Sequence, residues 1–401
     1  MDVITKNKVV PKLRFGEFQD DWGSRLLNEV SIITTGSTPS TSKKEYYDGQ
    51  RLFVSPADIN DNRFVVTTKT TLTELGFKKG RILEKGSVLF VCIGSTIGKT
   101  AQVFEECISN QQINALTANS NNSNDFIFSL LSLKAKKIKR LAGVQAVPLL
   151  NKTDFSKLKF YFPSLTEQQK IASFLSAVDK KLQQLTKKKD LLEEYKKGVM
   201  QKIFSQELRF KDDNGNNYLN WEETRIGELF EFKQGVQCAI EGQFLNKKEG
   251  LVRFIRIVDL TKTDEPIRYI EDPGTTHHIS NDDLFMVRYG NAGLVGYGYQ
   301  GVIANNLFRI IPKERTKIHN NFFHLLFRFK HRQFELLASS STMPALNFTS
   351  LKTLKLTSPS FEEQQKIAIF LSSLDSKIKL VSTQIQNTKA FKKGLLQQMF
   401  V

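Results

Sequence analysis

Cysteine is scarce in this chain of 401 residues: Cys92, Cys107 and Cys238 are the whole complement. They are too few and too scattered for a disulfide framework or a thiolate zinc site. Histidine is nearly as rare, and His277-His278 stands in a Gly/Thr-rich turn without a third ligand at metal spacing, so no metal is expected. Long apolar runs are missing too, which excludes a helix that spans a bilayer. The opening MDVITKNKVVPKLRF lacks the apolar core of a secretion signal, and we expect a cytoplasmic protein with no membrane partner.

Acidic residues are in deficit, with 41 Asp and Glu against 58 Lys and Arg, a net charge of +17 and a pI near 9.6. That imbalance points to a polyanion as partner. Catalytic motifs are absent as well: there is no nucleophile elbow, no Asn-Pro-Pro-aromatic run and no nuclease-like carboxylate cluster. Gly94-Ser-Thr-Ile-Gly98-Lys99-Thr100 imitates a phosphate loop, but that loop needs four residues between its glycines and a helix afterwards. Here three intervene and Ala101–Phe104 reads as extended, so the segment is taken as a turn between strands that brings Lys99 toward nucleic-acid phosphates.

What the chain does contain is a repeat. A shift of 196 positions lays PSLTEQQKIASFLSAVDKKLQQL, from Pro163, onto PSFEEQQKIAIFLSSLDSKIKLV, from Pro359, without a gap. Apolar residues alternate at spacings of four and three, the mark of a heptad seam. The first copy gives Ile171, Leu175, Val178, Leu182, Leu185, Leu192, Val199 and Ile203. The second gives Ile367, Leu371, Leu374, Ile378, Val381, Ile385, Leu395 and Met399. Each copy predicts one proline-free helix of about 38 residues, roughly 57 Å at 1.5 Å per residue, with Thr166 and Gln169 as a capping box. The first helix carries the chain away and the second must return it, so the pair is expected to be antiparallel.

The chain therefore divides into an N-terminal segment (1–21) beside the end of the second helix, a globular domain (22–162), a helix (163–205), a linker (206–220), a second domain (221–358) and a second helix (359–401). Leu13-Arg14-Phe15 recurs as Leu208-Arg209-Phe210, and Gly36 and Gly235 each lie fourteen residues beyond Trp22 and Trp221. Short β-type runs (51–55, 88–92, 252–257, 284–287) and one helix near the end of each domain (126–141, 322–337) fill the interiors. Pro148-Leu-Leu-Asn151 matches Pro344-Ala-Leu-Asn347. The fold class read from this is α+β: two mixed globular domains joined by two long antiparallel helices in a coiled coil, pseudo-twofold and close to cyclically symmetric. Shared ends with divergent middles suggest one task performed on two different targets.

Residues suited to nucleic acid stand in those middles. The first has Lys43, Lys44, Tyr46, Tyr47 and Arg63, with Gln111, Gln112 and Asn114; the second has Arg253, Arg256, Arg268, Tyr269 and Arg288, with Asn305 and Asn306. Arginine suits guanine, Asn and Gln suit adenine, and lysine serves phosphates. For any single one of them, an ordinary surface side chain is the more common reading. The helix lysines Lys180, Lys181, Lys187, Lys188 and Lys189 read mainly as a solvated face.

Taken together, PSLTEQQKIASFL and PSFEEQQKIAIFL, the Lys-Lys-Gly-Val-Met-Gln and Lys-Lys-Gly-Leu-Leu-Gln helix ends, the tryptophan openings and the Pro-x-Leu-Asn segments resemble the specificity subunit of a type I restriction-modification system. The resemblance implies two target-recognition domains, each reading one half of an asymmetric bipartite site in double-stranded DNA. It implies that the helices fix the spacer, a footprint on the order of one and a half turns. It implies a bacterial cytoplasmic setting in host defence and no catalysis by this chain. Two modification subunits using S-adenosylmethionine, and restriction subunits using ATP and Mg²⁺, would be the partners. Glu167-Gln168-Gln169 and its copy would join each helix to its domain or to a modification subunit. A non-specific DNA-binding scaffold is the alternative. Gly290-Asn-Ala-Gly293 is only a loose counterpart of the Gly94 loop, so the equivalence of these loops is left in doubt.

Overall fold

The computed structural model describes residues 9–60, 62–142, 148–262, 264–338 and 345–401. Residues 1–8 of the N-terminal segment and Pro344 lie outside the described residues. Two compact units form, one from the residues up to Lys187 with Val381–Val401, the other from Lys188–Leu380.

The repeated stretches are unbroken helices, Leu165–Phe204 and Phe361–Gln398. Ser164 caps the first, its Oγ accepting the Glu167 N–H at 3.4 Å, two residues before the expected Thr166 and Gln169 box. Pro163 sets this start because it has no N–H and holds the chain extended, so the residue after it is the first able to cap.

In the unit with the chain's first residues, Ile171, Ala172 and Leu175 share a core with Leu395, Met399 and Phe400. The start of one helix thus lies against the end of the other. In the second unit Val199 and Ile203 share a core with Ile367, Ala368, Leu371 and Leu374, the converse pairing. Both units therefore contain antiparallel helix segments. Leu185 and Val381 are buried, Val178 packs against the first core, and Leu182, Leu192, Ile378 and Ile385 are half-buried.

Among the described residues each globular domain has a two-stranded sheet that joins its ends, Gly23–Leu26 with Lys159–Phe162 and Glu222–Arg225 with Lys355–Ser358, and two larger sheets beside its helix segments. In the first domain, strands Ser31–Thr35, Ile113–Ala118, Val88–Val91, Thr100–Val103 and Phe64–Val65 lie in that order in one sheet. Thr70–Leu72, Tyr47–Val54 and Ile108–Ser109 form the other. The second domain repeats the plan. Phe230–Gln234, Leu307–Pro312, Leu284–Val287 and Val295–Gly296 make one sheet, and Arg268–Glu271, Leu251–Ile255, Gly301–Ile303 and His278–Ile279 the other. A parallel pairing recurs at the same place, Phe53 opposite Ile108 and Phe254 opposite Val302. The middles that diverge in sequence share these central pairings, though the larger sheets hold five and three strands in the first domain and four and four in the second.

The segment predicted as a helix over 126–141 runs Asn124–Leu141. Its counterpart is split at Lys330 into Asn320–Phe329 and His331–Ala338. Phe322, Phe323, Phe327 and Phe334 from these two pieces are fully buried and pack with Phe230. Burying one such ring contributes about 1.5–3 kcal/mol.

Glu167-Gln168 and Glu363-Gln364 face inward and join each helix to its own domain. Arg14 Nε and Nη2 donate to the two Glu167 carboxylate oxygens at 2.7 and 2.8 Å, and Trp22 Nε1 donates to Oε1 at 3.3 Å. Arg209 makes the same fork to Glu363 at 3.2 and 2.6 Å. Gln168 Nε2 donates to Asn122 Oδ1 at 3.0 Å and its Oε1 accepts the Ser123 N–H, while Gln364 accepts the His319 N–H at 2.9 Å. Leu13 N–H donates to the Gln398 carbonyl at 2.9 Å, tying the N-terminal segment to the second helix.

Candidate nucleic-acid interface

The Gly94 and Gly290 turns are equivalent, which removes the doubt raised by their sequences. Cys92 N–H donates to the Gln112 carbonyl and receives Leu150 on its own carbonyl; Arg288 does the same with Asn306 and Leu346. Gly94 and Gly290 both take positive φ, +92° and +96°, as do Gly98 and Gly293 at +96° and +87°. The second turn is shorter by one residue between its glycines, which is why the motif does not align by eye. Lys99 is committed internally: Nζ donates to the Pro56 and Ile59 carbonyls at 3.0 and 2.7 Å.

Several arginines chosen by residue type hold the fold together. Arg63 donates to Gln102 Oε1 and Ser176 Oγ, each at 2.5 Å, pairs with Asp125 at 2.6 Å and lies over the rings of Phe64 and Phe128. It clamps the first domain to the first long helix. Arg256 is spent on Asp259 and the Pro266 carbonyl, at 3.1 and 3.0 Å. Arg288 donates to the Leu346 carbonyl and to Gln234 Oε1 and covers Phe348. Asn114 is buried, accepting from Thr35 Oγ1 at 2.7 Å and donating to Cys92 Sγ. Tyr46 is buried, and Tyr47 donates to the Pro39 carbonyl at 2.8 Å, burial pushing its phenol pKa up.

The other chosen residues lie nearer solvent or keep spare polar atoms. Lys43 and Lys44 are exposed, Lys43 over the Tyr46 ring. Gln112 accepts from Asn110 Nδ2. Arg253 lies over the Tyr299 ring, and its Nε, Arg268 Nε and Asn306 Oδ1 are buried without a protein partner. Tyr269 pairs by its backbone with Phe244.

One arrangement recurs in both domains. Gly36 packs so tightly that a Cβ there would lie 2.1 Å from the Asn110 carbonyl oxygen, and one at Gly235 would lie 2.2 Å from that of Ala304. Only glycine fits. Each close approach leads into an exposed polar pair. Thr38 Oγ1 donates to Gln111 Oε1 at 2.6 Å in the first domain, and Asn305 Nδ2 donates to Gln237 Oε1 at 3.2 Å in the second. Arg81 pins the first loop, its N–H donating to Ser37 Oγ and its Nη1 to the Thr35 carbonyl.

Exposed lysines recur in both domains. Lys43-Lys44-Glu45 precedes the strand Tyr47–Val54, and Lys247-Lys248-Glu249 precedes the equivalent strand Leu251–Ile255. Lys78 and Lys79 are exposed after the short helix Glu74–Phe77, whose Gly76 abuts Tyr46. Thr38, Arg81, Gln237, Lys247 and Lys248 escaped the reading by residue type. The twin Lys-Lys-Glu runs and the glycines fourteen residues beyond each tryptophan were the available signals. Chemically, an exposed amide or hydroxyl pair can read base edges, and exposed lysines of the same domain can neutralise phosphates. Among the described residues no cluster of His, Cys, Asp and Glu could hold a metal ion, and no helix is long and apolar enough to cross a membrane.

A duplicated domain and helix, with matching exposed polar loops and a basic charge, defines a two-part recognition protein of the nucleic-acid-binding class. The pattern of the type I restriction modification DNA specificity domain matches residues 19–194 and again 218–389, and the chain belongs to that family. It is therefore a DNA-specificity component, not the catalytic part, of such a system.

The chain is 22% identical to the type I restriction enzyme MjaIX specificity subunit of Methanocaldococcus jannaschii, over 96% of this chain and 94% of that one. It is 31% identical to the HindI specificity subunit of Haemophilus influenzae over 36% of this chain and 32% of that one. Its fold is like that of the type I restriction-modification S subunit from M. genitalium, with a TM-score of 0.66 at 17% identity, covering 98% and 99% of the two chains.

Proposed function

We propose that each globular domain reads one half of an asymmetric bipartite DNA site, that the long helices set the unread spacer, and that the chain recruits two adenine-methylating modification subunits and, through them, restriction subunits. The observation that carries this reading is the recurrence of one polar pair, Thr38 with Gln111 and Gln237 with Asn305, at equivalent places in domains of different sequence. Equal positions suit equal tasks; different residues at them suit different bases. S-adenosylmethionine, ATP and Mg²⁺ would be bound by the partner subunits, and the complex would work in the cytoplasm.

Target positions accord with the division between base-reading and phosphate-binding groups. Lys43, Lys44, Lys78 and Lys79 in the first domain and Lys247 and Lys248 in the second, all exposed, supply the phosphate contacts. Selection from a random duplex pool by the chain with its modification subunit tests the reading. Enrichment of two dissimilar half-sites at one fixed separation is expected. A non-specific scaffold would enrich nothing, and its affinity would depend on salt alone.

A further inference from the structure

The loops that follow Gly36 and Gly235 differ in a way that hydrogen-bonding groups do not explain. Lys43 stands seven residues beyond Gly36, whereas Lys247 stands twelve beyond Gly235. The longer loop carries exposed apolar side chains: Ile240 is 82% exposed, Leu245 56% and Phe244 36%. In the shorter loop the single apolar residue is Pro39, and it is buried.

A lone exposed aliphatic residue is ordinary. Three within six residues on a braced turn make an apolar tip that needs a reason. Ile240 opens a short turn of helix, Ile240–Gly242, in which Gly242 N–H donates to the Ala239 carbonyl at 3.1 Å. Gln243 Nε2 donates to the Cys238 carbonyl at 3.3 Å, and Phe244 exchanges both backbone hydrogen bonds with Tyr269, at 2.8 and 2.9 Å. A Cβ at Gly242 would lie 3.1 Å from Cys238 Sγ, so the tip is packed on its own base. The turn holds Ile240 toward solvent instead of letting it fold back onto the domain.

The setting of the tip names its partner. Gln237, which accepts from Asn305, is three residues before Ile240, within about 11 Å along the chain, and the exposed Lys247 is two beyond Leu245, within about 7 Å. Groups suited to base edges and to phosphates thus flank it on both sides. Glu241 beside Ile240 is exposed; a carboxylate is repelled by phosphates but accepts from the cytosine amino group in a groove. An aliphatic side chain has no hydrogen bond to offer a base. What it does in a groove is press between two base pairs and unstack them. Pyrimidine–purine steps yield to this most easily.

We propose that Ile240, backed by Leu245, is a wedge that enters one base step of the half-site read by the second domain. That half-site is then selected for a flexible pyrimidine–purine step as well as for its base edges, and the other half-site is not. This rests on the two-half reading above and adds a specificity determinant to it.

The test uses the full-length chain with its cognate modification subunit and duplexes that carry the selected motif. Each pyrimidine–purine step of the second half-site is replaced in turn by a stiffer step, either intact or nicked in one strand. A nick makes a step flexible whatever its sequence, and so separates deformability from base contacts. At one step the wild type is expected to lose at least tenfold in affinity on stiffening and to recover most of it on nicking. Ile240→Ser should respond less than twofold to either change at that step and keep the wild-type preferences elsewhere. Its thermal midpoint should match the wild type, because the side chain is exposed.

A second half-site without a pyrimidine–purine step, or one at which nicking restores nothing, overturns the wedge and leaves the two-half reading intact. An Ile240→Ser variant with the full wild-type response overturns the assignment to Ile240. A wild-type complex that selects no motif overturns both readings.

Discussion

Lys196 Nζ donates to Asp375 at 2.5 Å, and Lys392 Nζ lies 2.5 Å from Asp179. Each residue of one pair stands 196 positions from its namesake in the other, with the helices exchanged. The second unit holds the first pair and the first unit holds the other. The repeat is therefore visible as chemistry: the same lysine and aspartate meet twice, once in each direction of the chain.

Because Asp375 is half exposed, removing the pair should cost little. Lys196→Ala is expected to lower stability by about 1 kcal/mol. The double exchange, Lys196→Asp with Asp375→Lys, should recover most of it in denaturant melts. Failure of the exchange to recover more than either single reversal would show that the pair does not act as a pair.

The two tryptophans are not equivalent. Trp22 Nε1 donates to the buried Glu167, whereas Trp221 Nε1 has no partner. Hydrogen bonds to charged groups contribute about 1.5–3 kcal/mol, so Trp22→Phe should destabilise by about 2 kcal/mol more than Trp221→Phe. Paired chemical denaturation of the two variants checks this.

His324 is half-buried and stacked on Tyr297, with ring centroids 5.3 Å apart. Burial, then the nearby Arg328, pushes its pKa down from 6.5 to about 4. The unfolded imidazole binds a proton below pH 6.5 that the folded one refuses until about 4, so stability is complete above 6.5 and falls as pH drops between these values. That loss approaches about 3 kcal/mol at the lower limit. The residue 196 positions earlier is Phe128, and His324→Phe should flatten this part of the pH profile of the second unit. An unchanged profile would assign the acid sensitivity elsewhere.

Much of the fold was legible because its helices announce themselves. An alternation of four and three over eleven turns survives any divergence in polar residues, and the pairing of Ile171 with the Met399 end follows from chain direction alone. The strand pairings common to the domain middles were hidden by small changes of length. The glycines of the Gly94 turn lie four apart and those of the Gly290 turn three apart, so a fixed shift loses register there. The recognition surface was least legible. A sequence gives the type of Arg63, Arg256 and Arg288 but not that Asp125, Asp259 and the Leu346 carbonyl already engage them.

The exposed pairs should separate the two half-sites. Gln111→Ala is expected to relax base preference in one half only, and Asn305→Ala in the other only, each by about 1–3 kcal/mol of discrimination. Thermal stability should stay within about 0.5 kcal/mol, since both residues lie at the surface. Binding to duplexes substituted position by position measures this. Loss in both halves from one substitution would contradict the division of labour.

The helices as a ruler give the central claim, and sequencing of methylated adenines in a host carrying this chain with its modification subunit tests it most directly. The account predicts methyladenine at a single motif made of two different half-sites with one fixed unread spacer, lengthened when a heptad is added to both helices at matching positions. Methylation at a contiguous or palindromic site, or scattered without a motif, would contradict it.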